Sequence, residues 1–127
     1  RVFAIEPKGF DDHRRSLVEG RPVVNARTSG DLCDALLAPA PGALTWRINQ
    51  SLLAGGYAID EAAVREAVAF AFSHLKLVLE PSGAIALAAI LAGAHGAQGR
   101  VVAVVLSGAN IDGETFASIV GRAARDS

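Results

Sequence analysis

The 127-residue sequence contains no methionine, one cysteine, one tryptophan, one tyrosine and only two lysines. A lone cysteine, Cys33, cannot close an internal disulfide, and no Cys/His grouping has zinc-ligand spacing, so neither a disulfide scaffold nor a zinc module is expected. A reducing, cytoplasmic location follows as the expectation. The net charge is −1 and no run of Lys or Arg occurs, which excludes the electrostatic footprint of a nucleic-acid or anionic-membrane binder. The most apolar stretch, Gly83 to Ala94, falls short of the roughly 20 residues that a bilayer span needs. No charged-then-apolar leader opens the chain. These exclusions leave small-molecule chemistry in a soluble protein. The missing methionine, and an opening at Arg1-Val2-Phe3-Ala4-Ile5 that has the character of a strand interior, are expected of part of a longer protein.

Hydrophobic residues make up 51% of the chain, enough for one compact domain or one lobe of a larger one. Val2 to Ile5 predicts a short buried strand ended by Pro7 and Gly9. A helix capped by Asp11 or Asp12 should follow, stop at Gly20 and Pro22, and expose His13, Arg14 and Arg15. Val23 to Pro41 is broken by Gly30, Pro39 and Pro41 and predicts an irregular excursion with a helical turn at Leu32 to Leu37. Thr45 is placed as the cap of a helix through Leu53, ended by Gly55-Gly56, before a brief strand at Tyr57 to Ile59. The spacing of Val64, Ala67, Val68, Ala71, Phe72 and Leu75 predicts a helix starting at Asp60, with Ile59 and Val64 as its hydrophobic staple. A helix apolar all round, capped by Ser82 and running to Gly93, should be buried. Val101 to Leu106 is an unbroken apolar run expected to be a parallel strand covered on both faces, and Gly113 to Ala124 a last helix. The order predicts an α/β fold, a mostly parallel sheet flanked by helices.

In such folds ligands sit beyond the carboxyl ends of strands, where Ser107-Gly108-Ala109-Asn110 falls. A hydroxyl, an amide and two small residues suit the approach of a flat ligand. An ordinary turn in which Ser107 and Asn110 satisfy backbone groups is the alternative. Glu6 and Asp12 flank another turn and are expected either to cap a helix and pair with Arg14 or Arg15, or to hold a hard cation. Cys33 is expected to be a small buried side chain and Asp34 a capping carboxylate. Lys8, Lys76, His13, His74 and His95 are expected in solvent.

Glu80-Pro81-Ser82-Gly83-Ala84, Ser107 to Asn110 and the following Ile111-Asp112 together resemble the pyridoxal-phosphate (PLP) dependent threonine/serine dehydratases, a group that includes serine racemase. The resemblance extends through Ile5-Glu6-Pro7, Asp11-Asp12, Ser16-Leu17, Cys33-Asp34-Ala35-Leu36, Pro41 to Trp46 and Leu75 to Val78. It implies a fold type II (tryptophan synthase beta-like) enzyme, of whose catalytic domain residues 1–127 are the C-terminal portion. The family's Schiff-base lysine and glycine-rich phosphate loop have no counterpart here, so the chain by itself is expected to be inactive. By the same resemblance Ser107 meets the pyridine nitrogen of PLP, Gly108 and Asn110 flank it, and Glu80 lies near the ring edge. Ala35 and Ala109 stand where glycine is usual, each adding a methyl at a place of close approach. Glu6, the Phe10 carbonyl and Asp12 match a site for Mg²⁺ or Ca²⁺. The activity implied is deamination of L-serine or L-threonine to a 2-oxo acid and ammonia by β-elimination, in a homodimer or higher homo-oligomer. A racemase of the same fold and a non-catalytic paralogue are the alternatives.

Overall fold

The computed structural model describes residues 1–93 and 96–123. Two strands, β1 (Val2–Pro7) and β2 (Leu53–Ile59), pair in parallel, with Val2 opposite Leu53 and Pro7 opposite Ile59 and a bulge between Val2 and Ala4. Side chains alternate between the faces of a strand. Ile5 and Tyr57 therefore pack on the main core, while Gly56 faces α1 (Asp12–Glu19), where an added Cβ would stand 3.0 Å from Cβ of Arg14. Gly20, in the left-handed conformation, ends α1 as its position predicts.

The core lies on the other side of the sheet. Val64, Ala67 and Val68 of α3 (Glu61–Phe70) meet Ala84, Ile85, Ala88 and Ala89 of α4 (Pro81–Leu91), and Ile119 of α5 (Gly113–Ala123) closes over them. Alanine on both α3 and α4 lets their axes approach. From Pro81 to Ala89 every α4 residue except Ala86 is buried, so a helix without a polar face is matched to its surroundings. Asp60 caps α3 by accepting a hydrogen bond from Ala63 N at 2.9 Å, and the stapling pair Ile59 and Val64 is buried.

Several sequence expectations are corrected. Gly55 and Gly56 lie inside β2 instead of ending a helix, because α2 (Ala43–Leu52) passes directly into the strand. That helix starts before Thr45: Gly42 is its cap residue, and the Thr45 hydroxyl donates to the Gly42 carbonyl at 2.9 Å. Beyond α3 the helix widens into a π turn (Ala71–Leu75), which inserts a residue into the helical period and swings Phe72 and Leu75 outward. Phe72 instead meets the Phe116 ring edge-on at 5.3 Å. The helical turn predicted over Leu32 to Leu37 is a short 3₁₀ turn (Asp34–Leu36). Glu80, not Ser82, occupies the cap position of α4, with Pro81 in its first turn, and α4 stops at Leu91 instead of Gly93.

The largest difference concerns Val101 to Leu106. Among the described residues this run joins no ladder, and Val101 and Val105 are exposed while Val104 and Leu106 touch the core. Six apolar residues signal burial but do not by themselves name a pairing partner, and β1 and β2 pair with each other. Ala94, His95 and Ala124, which the sequence places in a loop and at a helix end, lie outside the described residues. Among the described residues no helix is long and apolar enough to cross a membrane.

Replacing Asp60 by Ala removes the α3 cap and is expected to cost about 1 kcal/mol. Urea unfolding should show the midpoint falling with an unchanged slope.

Candidate active site

The first turn of α4 sits against the segment that follows Leu106. An added Cβ on Gly83 would lie 1.7 Å from the Ser107 carbonyl oxygen, and one on Gly108 would lie 2.1 Å from Glu80 Oε1. Gly108 also has φ +85°, a conformation that side chains with a Cβ rarely adopt. Two hydrogen bonds fasten the contact: Glu80 N donates to Gly108 O at 3.2 Å, and Asn110 N donates to Glu80 Oε2 at 3.1 Å. Ser82, displaced from its expected capping role, accepts from Ala35 N at 3.2 Å and ties the Asp34–Leu36 turn to the same place. The five residues Ala35, Glu80, Ser107, Gly108 and Asn110 are thus brought to one end of α4.

Ser107 lines a cleft of about 920 Å³ shared with Phe3, Leu36, Tyr57, Gly83 and Val104. Its hydroxyl and the Asn110 side-chain amide make no hydrogen bond among the described residues; the Glu80 carboxylate accepts from the backbone N–H of Asn110 instead. A free hydroxyl beside glycine and apolar walls suits a flat heteroaromatic ring bearing a nitrogen, which takes a hydrogen bond at its edge and packs by its faces. The residues present therefore fit PLP.

A second cluster forms where β1 meets α1. The Glu6 carboxylate accepts from His13 N at 2.9 Å and Arg14 N at 2.8 Å, so the α1 cap comes from the end of the strand and not from the side chains of Asp11 or Asp12. Asp12 is buried and accepts from Asn25 Nδ2 at 2.8 Å. Both nearby guanidinium groups turn to Asp11, Arg14 at 3.1 Å and Arg15 at 3.4 Å, so the expected pairing with Glu6 or Asp12 does not form. Burial, reinforced by the charges of Asp12 and Asp11, pushes the Glu6 carboxyl up from 4.5 to about 7. Ligand atoms of Glu6, Asp12 and His13 lie within 4.8 Å of one another, and Phe10 is fully buried at the same turn. Two closely spaced carboxylates with no guanidinium or ammonium partner among the described residues fit a divalent cation.

The sequence places His13 in solvent; the structure half-buries it between these acids and Asn49. The signal available in the sequence is adjacency to Asp12, but nothing local places Asn49 beside it. Among the other expectations, Cys33 is buried and desolvation pushes its thiol up to about 12, so it stays a protonated apolar filler. Lys8 is exposed, and the exposed Lys76 donates to the Ser73 carbonyl at 2.7 Å. His74 is exposed and stacks with Phe70 at 4.5 Å.

Two parallel strands flanked by helices, with two glycines in close approach at one helix end, define a lobe of α/β architecture. The family model described as pyridoxal-phosphate dependent enzyme matches residues 1–108, and the chain belongs to that family. It is similar to a serine racemase of Arabidopsis thaliana, 34% identical over 117 residues that cover 88% of this chain and 35% of the relative. A beta-hydroxyaspartate dehydratase of Paracoccus denitrificans is 33% identical, with coverages of 88% and 35%. The crystal structure of a T.th. threonine deaminase superposes with a TM-score of 0.81 at 35% identity, covering 87% of this chain and 37% of that one. The chain thus spans little more than a third of the length of these relatives.

Gly83→Ala forces a methyl into the Ser107 carbonyl and is expected to destabilise by roughly 1–3 kcal/mol or more, read from denaturant midpoints. For the metal-free protein, Glu6 sets a pH dependence. Its carboxyl holds a proton to about pH 7 when folded but releases it near 4.5 when unfolded, so stability should fall as pH rises through that window. The drop is on the order of 3 kcal/mol. Unfolding midpoints between pH 4 and 8 should show it, and Glu6→Gln should flatten it.

Proposed function

We propose that residues 1–127 are the C-terminal portion of the catalytic domain of a PLP-dependent lyase that deaminates L-serine, L-threonine or a related β-hydroxy amino acid. The single observation that carries this reading is Ser107, whose hydroxyl has no hydrogen-bond partner among the described residues, lining a cleft beside the turn that Glu80 fastens through Gly108 and Asn110. PLP, when bound, supplies an electron sink for the substrate Cα. Ser107 would offer the ring nitrogen a neutral hydrogen-bond partner, which cannot hold a full positive charge there as a carboxylate would. Such tuning weakens the sink and favours prompt loss of the β-hydroxyl, leading to a 2-oxo acid and ammonia. Gly108 and Asn110 shape the turn beside it, and Glu80 fixes that turn through the Asn110 amide. Ala35, whose N–H is held by Ser82, would add a methyl where the family has glycine packed against the cofactor, and Glu80 would lie near the ring edge.

Glu6, the Phe10 carbonyl and Asp12 would hold Mg²⁺ or Ca²⁺ in a structural role, neutralising the half-buried Glu6 and the buried Asp12 where β1 meets α1. The single cysteine, which cannot close an internal disulfide, is the ground for a cytoplasmic location, and a homodimer or higher homo-oligomer completes the reading. Amino-acid racemisation on the same lobe is the second reading, favoured by the similarity to the plant serine racemase.

In the full-length protein, L-serine or L-threonine should yield a 2-oxo acid. Ser107→Ala should lower that rate by about tenfold or more and shift the visible absorbance of the cofactor. Unchanged rate and spectrum would remove Ser107 from its role. Interconversion of serine enantiomers without 2-oxo acid would replace the lyase by the racemase.

A further inference from the structure

The turn that presents Ser107 has little of its own to hold it. Ser107, Gly108, Ala109 and Asn110 are all exposed, and the one bond printed within the segment runs from Ile111 N to the Ala109 carbonyl at 3.0 Å. Among the described residues Glu80 is the one side chain that hydrogen-bonds residues 107–110. It grips the turn on both sides of Ala109, donating from its backbone N–H to the Gly108 carbonyl at 3.2 Å and accepting at Oε2 from Asn110 N–H at 3.1 Å. Its other oxygen, Oε1, fills the space that a Cβ on Gly108 would need and bonds nothing else among the described residues.

The position of this carboxylate is unusual for its place in the helix. An acid at a cap position ordinarily accepts from the free N–H groups of its own first turn. Glu80 makes no such bond, although it is the cap residue of α4, and its carboxylate reaches across to the turn instead. With Pro81 next to it and a buried helix beyond, its backbone is fixed, so the reach of the side chain sets where the turn sits. Ser82, Gly83 and Ser107 line the cleft, whereas Glu80 does not.

We propose that Glu80 is the positioning residue of Ser107, acting through Asn110 N–H as a hydrogen-bond acceptor of the right length and not through its charge. The inference rests on the reading of Ser107 as the partner of the ring nitrogen. Without the carboxylate an exposed turn loses its side-chain anchor, and the Ser107 hydroxyl is presented over a range of directions; a hydrogen bond weakens steeply once misaligned. Glutamine offers an acceptor oxygen at the same reach, and its –NH₂ replaces an oxygen that bonds nothing. Aspartate keeps the charge but is one methylene short.

The test uses the full-length protein, with hydrogen exchange at Asn110 N–H measured without PLP and the cofactor absorbance and deamination rate measured with it. Glu80→Ala and Glu80→Asp should speed that exchange by about tenfold, shift the absorbance as Ser107→Ala does, and lower the rate by about tenfold. Glu80→Gln should recover most of each loss. On a Ser107→Ala background, Glu80→Ala should speed the exchange as before but lower the rate by less than about threefold further. Damage from Glu80→Gln equal to that from Glu80→Ala, with Glu80→Asp mild, overturns the inference in favour of charge. Unaltered exchange in Glu80→Ala, or losses that multiply in full with those of Ser107→Ala, overturn it as well. An absorbance and rate untouched by Ser107→Ala overturn the reading of Ser107 and this inference together, whereas an effect of Ser107→Ala that Glu80→Ala does not share overturns this inference alone.

Discussion

The lobe depends on one close backbone approach, that of the first turn of α4 to the chain at Ser107 and Gly108. It exists because two positions lack a Cβ: Gly83 presses on a carbonyl and Gly108 on a carboxylate. With the two segments seated, Glu80 can take the Asn110 amide and Ser82 the Ala35 amide, so three stretches distant in sequence converge on one helix end. The same seating fixes where α4 enters the core, and with it which alanines face α3. Core packing and site geometry are therefore consequences of a single steric permission.

At the opposite side of the sheet a second economy operates. Glu6 closes β1 and at the same time supplies the acceptor oxygens that the free N–H groups of the first turn of α1 require. That double use draws a carboxylate into a half-buried position beside Asp12, while Asp11 takes both guanidinium groups. Negative charge is concentrated, and positive charge is led away from it. A capping arrangement thereby acquires the electrostatics of a cation site.

Much of this is legible in the residues, and the gaps have physical causes. The period of Val64, Ala67, Val68 and Ala71 locates α3, and the even apolarity of Gly83 to Leu91 announces a buried helix, because periodicity and burial are properties of the chain itself. The capping of α1 is not legible, because the local pattern offers Asp11 and Asp12, whereas the cap comes from Glu6 through tertiary contact. Gly55-Gly56 looks like a stop, yet in β2 it makes room for Arg14, which only the packed partner reveals. The five residues assigned around Ser107 come from resemblance to a family; spacing alone leaves that turn undecided. The half-burial of His13 escapes a reading of the sequence because Asn49, far along the chain, stands beside it only after folding.

The extended run from Val101 to Leu106 has a further consequence. With Val104 and Leu106 anchored to the core and Val101 and Val105 facing out, its backbone amides and carbonyls form no ladder among the described residues. A valine-rich stretch without charge or proline, carrying an open row of donors and acceptors, is a template for strand addition. In this lobe handled alone, the segment leading to Ser107 therefore offers an open edge to another chain within a few residues of the cleft.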